Sequence, residues 1–272
     1  MVPSSGDERL AALRSDPSRA GIFCDFDGTL SAIVDDPSQS RPVEGAVDVL
    51  AALARAYARV GVVSGRPADF LLRHLGPGPD AARDLTDAEH GTLLLAGLYG
   101  LEVVRDGEVV STEEVRRWGP VLEEVIARLK EEAPDGVSVE GKGFTVVLHY
   151  RTRPELADEA RALADRESER SELVVGEGRQ SLELRPPLET SKGTVVAEAA
   201  SGLAAVCFLG DDHGDLTAFD ALDDLAEAGA TTVRVGVESE EAPDELLERA
   251  DVVVDGPDGV VELLRSLVPD DD

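Results

Sequence analysis

The chain has 272 residues and a hydrophobic content of 42%, which suffices for one large core or two modest ones in a soluble globular protein. Its formal net charge of −30 argues against nucleic acid and anionic membranes as partners. The sequence contains no apolar run as long as a membrane span, and its first residues do not form a signal peptide. We therefore expect a cytoplasmic protein that has no membrane partner.

The first chemical signal is a short strand that ends in two carboxylates. After a predicted helix over residues 7–17, the uncharged run 21–24 is typical of a buried strand. Asp25 and Asp27 follow it, two residues apart, and ligands of open α/β sheets bind beyond the carboxyl ends of strands. The pattern therefore favours a site, although an ordinary solvated Asp-x-Asp-Gly turn would explain the motif taken alone.

The spacing of these two carboxylates suits phosphoryl transfer. One carboxylate can attack an electrophile and form an acyl-phosphate, while the second gives a proton to the leaving group and later takes one from water. Carboxylates this close repel each other unless a cation neutralises them. Mg²⁺ meets that need, because it prefers oxygen ligands and also binds phosphate.

A second predicted strand ends in residues suited to an anion. A helix over 44–58 leads into a strand over 59–63, which ends at Ser64, Gly65 and Arg66. The Ser64 hydroxyl and the first N–H groups of the following helix can bind phosphate, and Arg66 can add a charge-assisted hydrogen bond. The alternative is a serine that only caps a helix.

The middle of the chain predicts a second, smaller domain inserted into the first. A hairpin around Asp106 and Gly107 precedes it. Residues 113–186 then follow the order α-β-β-α-β-β, and motifs suited to chemistry resume after them. The first domain therefore comprises 1–112 and 187–272.

Charged side chains interrupt the predicted strands of this insertion. They are Glu140, Lys142, His149, Arg151, Glu183 and Arg185. Glu183 and Arg185 share one face of a strand, because alternate residues of a strand point the same way. For any one of these residues, a solvated sheet face is a sufficient explanation.

Two further motifs follow the insertion. Lys192 opens a predicted helix, where its ammonium would stabilise an anionic assembly, although a surface lysine is the alternative. A buried strand over 204–209 ends in Asp211, with Asp212 and Asp215 close behind, so a third strand end offers carboxylates to Mg²⁺.

The remaining signals concern structure. We predict a further strand over 231–235 that ends in a turn at Gly236. Cys24 and Cys207 each lie near the end of a predicted buried strand, so we expect two reduced thiols in the core. The scattered histidines make no zinc site.

In this order, the motifs resemble the four signatures of the haloacid dehalogenase (HAD) superfamily of phosphotransferases. The matching residues are Asp25-Phe26-Asp27-Gly28-Thr29-Leu30, Ser64-Gly65-Arg66, Lys192-Gly193 and Gly210-Asp211-Asp212. The resemblance implies an α/β fold, with a Rossmann-like HAD core on a parallel sheet and an inserted α+β cap domain of the C2B type. Since members without the second carboxylate do other chemistry, Asp27 implies phosphate-ester hydrolysis or phosphomutase activity.

Within that superfamily, the chain is similar to the trehalose-6-phosphate phosphatase family. The insertion carries Glu-x-Lys, His-x-Arg and Glu-x-Arg-Pro elements like those that contact the disaccharide in the family. Five positions depart from the family pattern. Tyr99 stands for a histidine, Ser191 for an asparagine, and Gly214 with Leu216-Thr217 for Thr and Glu-Asp.

The resemblance implies a role for each candidate residue. Asp25 would be the nucleophile and Asp27 the general acid and base. Mg²⁺ would bind Asp25, the Asp27 carbonyl and Asp211, with Asp212 and Asp215 supporting it. The implied phosphate-binding residues are Gly28, Thr29, Ser64, Gly65, Arg66 and Lys192. The implied sugar-binding residues are Glu140, Lys142, His149, Arg151, Glu183 and Arg185.

The favoured hypothesis is therefore Mg²⁺-dependent hydrolysis of trehalose 6-phosphate through an aspartyl-phosphate, with a functional link to a trehalose-phosphate synthase. One alternative is another capped sugar phosphatase, acting on sucrose-phosphate or mannosyl-phosphoglycerate. Others are a phosphomutase, and a non-catalytic sugar-phosphate sensor or partner subunit of a synthase.

Overall fold

The computed structural model describes residues 6–34, 36–76, 93–178, 180–239 and 242–269. The chain divides into a larger unit, Met1–Val110 with Thr190–Asp272, and a smaller unit, Ser111–Glu189.

The described residues form strands and helices that we number in chain order. The strands are β1 (Ala20–Cys24), β2 (Arg59–Val63), β3 (Leu93–Gly97), β4 (Glu102–Arg105), β5 (Glu108–Val110), β6 (Ser138–Gly141), β7 (Val146–His149), β8 (Val174–Gly178), β9 (Ser181–Arg185), β10 (Ala205–Gly210), β11 (Thr231–Glu238) and β12 (Val252–Asp255). The helices are α1 (Gly6–Ser15), α2 (Ala46–Ala56), α3 (Ala68–Leu75), α4 (Glu113–Arg116), α5 (Gly119–Glu132), α6 (Ala157–Ser171), α7 (Lys192–Ala199), α8 (Leu216–Glu227), α9 (Asp244–Arg249) and α10 (Gly256–Leu267).

A mainly parallel sheet organises the larger unit. Over the described ranges it has eight strands, in the order β12-β11-β10-β1-β2-β3-β4-β5. The strands from β12 to β3 run parallel, and β4 and β5 add an antiparallel edge. Every residue of β1 and β10 is buried, which explains their uncharged sequences. The predicted α/β class with a parallel sheet is confirmed.

Helices cover both faces of this sheet. Buried residues of α1, α2, α3 and α10 pack against one face, where Ile22 and Cys207 point. Buried residues of α7, α8 and α9 pack against the other face, around Phe23 and Phe208. Successive residues of a strand thus pack into cores on opposite faces of the sheet, as the two-residue period of a strand requires. Both cysteines are fully buried free thiols, as expected.

The smaller unit is an antiparallel sheet packed on helices. Among the described residues, its four strands have the order β6-β7-β9-β8. Val146 and Leu148 of β7 and Leu182 and Leu184 of β9 pack with residues of α5 and α6 in one core. The α+β composition fits a cap domain of the HAD type.

Two further observations complete the fold. The turn predicted at Gly236 is wrong, because β11 continues to Glu238 and pairs with β12 along that extension. A Cβ at Gly236 would lie 3.0 Å from the Cβ of Ala250, so this glycine allows close packing inside a strand. Among the described helices, none is long and apolar enough to cross a membrane.

Candidate active site

Three strand ends meet at one edge of the larger sheet. Cys24, the last residue of β1, lies opposite Val62 of β2 and Leu209 of β10. The next polar residues along these strands are therefore neighbours in space: Asp25, Ser64 and Asp211 have exposed fractions of only 3%, 1% and 4%. The Asp25 N–H donates to the carbonyl oxygen of Leu209 at 2.9 Å, which fixes the backbone at the carboxylate.

Lys192 joins this group from the first turn of α7. The Ser191 hydroxyl accepts from the Thr194 N–H and the Thr194 hydroxyl accepts from the Ser191 N–H, so the helix begins in a capping box. Ser191 can thus begin the helix at a position where relatives often have asparagine. The Lys192 side chain is 2% exposed, and its Nζ lies 3.0 Å from Oδ1 of Asp25.

The ammonium of Lys192 is surrounded by carboxylates. Its Nζ also lies 2.7 Å from Oδ1 of Asp215 and 3.3 Å from Oδ1 of Asp212. Burial opposes the charge, but these carboxylates raise the pKa of Lys192 well above its ordinary value. Burial also raises the pKa of the Asp25 carboxyl, and the nearby ammonium partly counters it. Lys192 is therefore a buried cation that orients the proposed nucleophile.

Asp215 holds the loop that follows β10. One of its oxygens, Oδ2, accepts the backbone N–H groups of Asp211 at 2.9 Å and Asp212 at 3.0 Å, while Oδ1 accepts from Lys192. The Asp215 side chain is fully buried. It positions the backbone of the candidate metal ligand Asp211, in keeping with a supporting role.

Asp211 packs tightly against the first motif. The Thr29 hydroxyl, predicted to bind phosphate, donates to Oδ1 of Asp211 at 3.0 Å. Gly28 has φ = +79°, and a Cβ there would lie 1.9 Å from Oδ2 of Asp211, so only glycine fits. Burial, with Asp215 and Asp212 nearby, raises the pKa of Asp211 to about 8. The ammonium of Lys192 and the hydrogen bond from Thr29 oppose this rise without cancelling it.

The donor set fits a divalent cation. Among the described residues at these strand ends, the carboxylates of Asp25, Asp211, Asp212 and Asp215 outnumber the one ammonium, that of Lys192. In the described part of the chain, Asp25, Asp212 and Asp215 offer ligand atoms within 4.8 Å of one another. However, the Lys192 ammonium already lies among those three oxygens. We therefore look to Asp25 and Asp211 as the side chains that could hold a metal ion.

Asp27 points to a different set of partners. Its Oδ2 accepts from Nε of Arg66 and its Oδ1 from Nη2 of Arg66, both at 2.6 Å. The Ser40 hydroxyl adds a third hydrogen bond to Oδ1, at 3.0 Å. The structure thus places Arg66, predicted to bind phosphate, on the carboxylate of the predicted general acid. The two parallel hydrogen bonds of this pair fix the orientation of both planar groups.

The Ser64-Gly65-Arg66 turn is packed by Tyr99. Ser64 does not cap the next helix, since α3 begins at Ala68 after Pro67. The Ser64 hydroxyl instead accepts from the Arg66 N–H at 3.2 Å. A Cβ at Gly65 would lie 2.7 Å from the hydroxyl oxygen of Tyr99, which itself has φ = 57°. The residue that departs from the family histidine therefore packs on the predicted phosphate loop.

The predicted sugar-binding residues belong to the smaller unit. Glu140 and Glu183 both lie opposite Val147 of β7, on the sheet face away from the buried core residues. His149 and Arg185 share this face by strand alternation, while Lys142 and Arg151 follow the ends of β6 and β7. Oε2 of Glu140 lies 2.8 Å from Nε2 of His149. The side-chain Nε of Arg185 is buried and has no hydrogen-bond partner in the described residues.

Some of the residues that shape the site were not identified from the sequence. Ser40 contacts Asp27 from a loop, and Glu102 accepts the Ala68 N–H at 2.9 Å, which caps α3. The hydroxyl of Thr217, which departs from the family pattern, accepts from the Gly193 N–H beside Lys192 at 3.2 Å. No residue spacing in the sequence predicts these contacts. Glu102 alone of these three had a sequence signal, because Gly97, Gly100 and Glu102 match a Gly-x-His-Gly-x-Glu element of the family in which Tyr99 replaces the histidine.

Comparisons with known proteins bear on this arrangement. The family model for trehalose-phosphatase matches residues 23–250. A trehalose-phosphate phosphatase of Mycobacterium avium (strain 104) is 34% identical over 243 residues, which cover 80% of this chain and 58% of that protein. The chain thus spans little more than half the length of that relative.

Two solved structures share the fold. The C-terminal domain of Candida albicans trehalose-6-phosphate phosphatase has a TM-score of 0.71 at 20% identity and covers 97% of both chains. A haloacid dehalogenase-like hydrolase from Bacteroides thetaiotaomicron has a TM-score of 0.59 at 17% identity, covering 92% of this chain and 100% of the other. Together with the family match, these likenesses lead to one conclusion: the chain has a HAD-type fold and belongs to the trehalose-phosphatase family.

Proposed function

We propose that this chain hydrolyses trehalose 6-phosphate to trehalose and phosphate through an aspartyl-phosphate at Asp25. The observation that carries the proposal is the buried contact between Asp25 and Lys192 at the end of β1, beside Ser64 at the end of β2. A carboxylate held by an ammonium in a dry site needs little reorganisation before it attacks phosphorus.

The first half-reaction breaks the bond between phosphorus and the sugar oxygen. A carboxylate oxygen of Asp25 attacks phosphorus, and Asp27 gives its proton to the departing sugar oxygen. Ser64, Lys192 and the backbone of Gly28, Thr29 and Gly65 would hold the phosphoryl oxygens. Arg66 would share its guanidinium between Asp27 and the phosphate. These assignments use the strand ends and the helix start that the sheet brings together.

The second half-reaction restores the enzyme. Water attacks phosphorus, the bond to Asp25 breaks, and the proton lost by water passes to Asp27. Phosphate then leaves, and Asp27 is again a protonated acid for the next turnover.

Mg²⁺ is part of the proposal. Asp25, the carbonyl oxygen of Asp27 and Asp211 would hold it, with Asp212 and Asp215 supporting the loop around them. Bound there, the ion would neutralise charge on the carboxylates and the phosphate. The excess of carboxylates over cations supports this assignment.

The smaller unit would select the sugar. Carboxylates accept hydrogen bonds from sugar hydroxyls, so we assign Glu140 and Glu183 to the disaccharide, together with Lys142, His149, Arg151 and Arg185. The name of the Mycobacterium avium relative supports trehalose phosphate as the substrate. A cytoplasmic location and a functional link to a trehalose-phosphate synthase complete the proposal.

A panel of sugar phosphates tests this function. Phosphate release would be measured from trehalose 6-phosphate, sucrose 6-phosphate, mannosyl-phosphoglycerate and glucose 6-phosphate, with Mg²⁺ and with EDTA. We expect trehalose 6-phosphate to be hydrolysed fastest and activity to disappear with EDTA and return with Mg²⁺. Activity on another sugar alone would keep the chemistry and discard the sugar assignment. Phosphate released from none of them would point to a sensor, and dependence on an added bisphosphate would indicate a phosphomutase.

A further inference from the structure

The side chain of Asp27 lies beside a small network of buried hydroxyl groups that have no role in the proposed reaction. Ser40 and Ser31 both have an exposed fraction of 0%. The Ser40 hydroxyl donates to Oδ1 of Asp27 at 3.0 Å, and its Oγ lies 2.6 Å from Oγ of Ser31. Two hydroxyl groups that no solvent reaches therefore lead to the carboxylate of the proposed general acid.

Counting hydrogens fixes the direction of this network. Each serine hydroxyl has one hydrogen to donate, and a carboxylate only accepts. If Ser40 donates to Asp27, the hydrogen in the contact between the serines must come from Ser31. Ser31 can also reach the carbonyl oxygen of Ala32, but that distance is longer, 3.2 Å. The donors therefore run from Ser31 to Ser40 to Asp27.

Backbone contacts set this geometry. Ser31 forms β-bridges with both Asp27 and Pro42, and its carbonyl oxygen accepts from the Gly28 N–H at 2.7 Å. The Val43 N–H donates to the carbonyl oxygen of Leu30 at 2.9 Å, which ties the far end of the loop to the first motif. The loop that carries Ser40 is thus fastened on both sides to the segment that carries Asp27.

Asp27 needs such a clamp more than Asp25 does. The Asp27 side chain is 37% exposed, whereas that of Asp25 is 4% exposed and confined by its surroundings. An exposed carboxylate can choose among rotamers, and proton transfer requires a heavy-atom distance close to that of a hydrogen bond. Arg66 and Ser40 together occupy Oδ1, and Ser40 approaches from the loop that faces the first motif.

We infer that Ser40, backed by Ser31, is a positioning residue that holds Asp27 where it can reach the leaving oxygen of the substrate. The inference rests on the proposed function, since it assumes that Asp27 is the general acid. Ser40 contacts the side chain of Asp27 and not the backbone carbonyl oxygen that is assigned to Mg²⁺, so in this assignment it acts only through the Asp27 carboxylate.

A role limited to Asp27 predicts a dependence on the leaving group. A sugar alkoxide leaves poorly unless it is protonated, so its departure depends on a well-placed acid. A p-nitrophenolate leaves as an anion near neutral pH and needs no proton. Loss of Ser40 should therefore slow cleavage of a sugar phosphate and spare the first cleavage of p-nitrophenyl phosphate. A general loosening of the site would slow both.

The experiment compares single-turnover rates of Ser40→Ala and the wild type, both loaded with Mg²⁺. Trehalose formation is followed from trehalose 6-phosphate, and nitrophenolate release is followed from p-nitrophenyl phosphate. We expect Ser40→Ala to slow trehalose formation about tenfold, less than the roughly 10²- to 10⁴-fold that general acid catalysis contributes, because Asp27 is still present. The rate of nitrophenolate release should stay within about twofold of the wild type. Ser31→Ala should change the ratio of the two rates in the same direction and by less.

A matched control comes from the same loop. Ser38→Ala removes an exposed hydroxyl that contacts Asp36 at 2.8 Å and should change neither rate. Thermal melting of each variant checks folding, and Ser31→Ala provides the test if Ser40→Ala does not fold. Equal slowing of both substrates, or no slowing of either, would overturn the inference. A wild type that cleaves neither substrate would instead overturn the proposed function, and the inference with it.

Discussion

The molecule has two groups of charged residues that differ in their exposure to solvent. At the strand ends of the larger unit, the side chain of Lys192 is 2% exposed and contacts three carboxylates. On the sheet face of the smaller unit, the side chain of Glu140 is 46% exposed and contacts one histidine and one lysine. Lys192 is thus shielded from water, whereas Glu140 is open to it.

The difference follows from what each group is proposed to do. Attack on phosphorus requires charges that are already oriented, and a low-dielectric site makes each of them count for more. Recognition of a sugar requires several modest hydrogen bonds to groups that water also reaches, so each contributes little alone. We therefore expect substitutions in the larger unit to affect the chemical step and those in the smaller unit to affect substrate binding.

The largest effect should come from the nucleophile. Asp25→Asn removes the attacking oxygen while it keeps the shape of the side chain, and we expect the kcat for trehalose 6-phosphate to fall by at least about 10³-fold. Steady-state phosphate release measures this. Asp36→Asn, on an exposed loop, is the matched control and should retain wild-type activity. Turnover by Asp25→Asn at the wild-type rate would contradict the mechanism.

Removal of the buried cation should affect both activity and stability. Lys192→Met keeps most of the side-chain volume but leaves the carboxylates of Asp25 and Asp215 without their ammonium. We expect kcat to fall about 10²- to 10³-fold, as for loss of a preorganised electrostatic group. We also expect the free energy of unfolding to fall by about 3 kcal/mol, measured by urea denaturation at neutral pH. Lys130→Met, on the exposed side of α5, should change neither quantity.

A substitution in the smaller unit should produce the opposite pattern. Glu183→Gln removes one charge from the sheet face and keeps the shape of the side chain. We expect the KM for trehalose 6-phosphate to rise about tenfold, as for one lost charge-assisted hydrogen bond, with kcat within about twofold. Michaelis–Menten kinetics separate the two parameters. A fall in kcat with unchanged KM would remove the distinction between the two groups.

The smallest effect should come from an ion pair of the larger unit that lies outside the site, between Arg234 and Asp251. Burial opposes the charge of Asp251, but hydrogen bonds from Arg234 prevail and lower its pKa. Its stabilising contribution is therefore present above the pKa of the unfolded chain and is lost as the pH falls through the lower folded-state pKa. We expect Asp251→Asn to cost about 1 kcal/mol of unfolding free energy at neutral pH.

Urea denaturation at a series of pH values checks this last prediction. The difference between Asp251→Asn and the wild type should shrink as the pH drops below the folded-state pKa. Asp220→Asn, whose exposed carboxylate contacts Arg249, is the control and should cost less than about 0.5 kcal/mol. A pH-independent difference would mean that the ion pair is not its source.

The sequence predicted those parts of the site that follow from strand order. Buried runs before Asp25, Ser64 and Asp211 had to form strands, and parallel strands bring their carboxyl ends to one edge. Contacts made by loops could not be predicted in this way. The position of Ser40 beside Asp27 depends on how residues 31–42 fold back, and no periodic pattern encodes that path.

Arg66 and Gly236 show two further limits of a local interpretation. Arg66 is predicted to bind phosphate, and in the described part of the chain it also pairs with the carboxylate of Asp27, which the sequence did not indicate. Gly236 is typical of a turn, but pairing of β11 with β12 extends the strand through it. In both cases tertiary neighbours decide the outcome, since they supply a partner that the local sequence does not contain.

The central claim is that Asp25 carries the phosphoryl group, and trapping that intermediate tests it most directly. Asp27→Asn should retain attack by Asp25 on p-nitrophenyl phosphate, because the leaving group needs no proton, and lose the base that activates water. After mixing with Mg²⁺ and acid quenching, peptide mass spectrometry should find one phosphoryl group on Asp25, together with one nitrophenolate per enzyme molecule. A phosphoryl group on another residue, or nitrophenolate release without any phosphorylated peptide, would contradict the account.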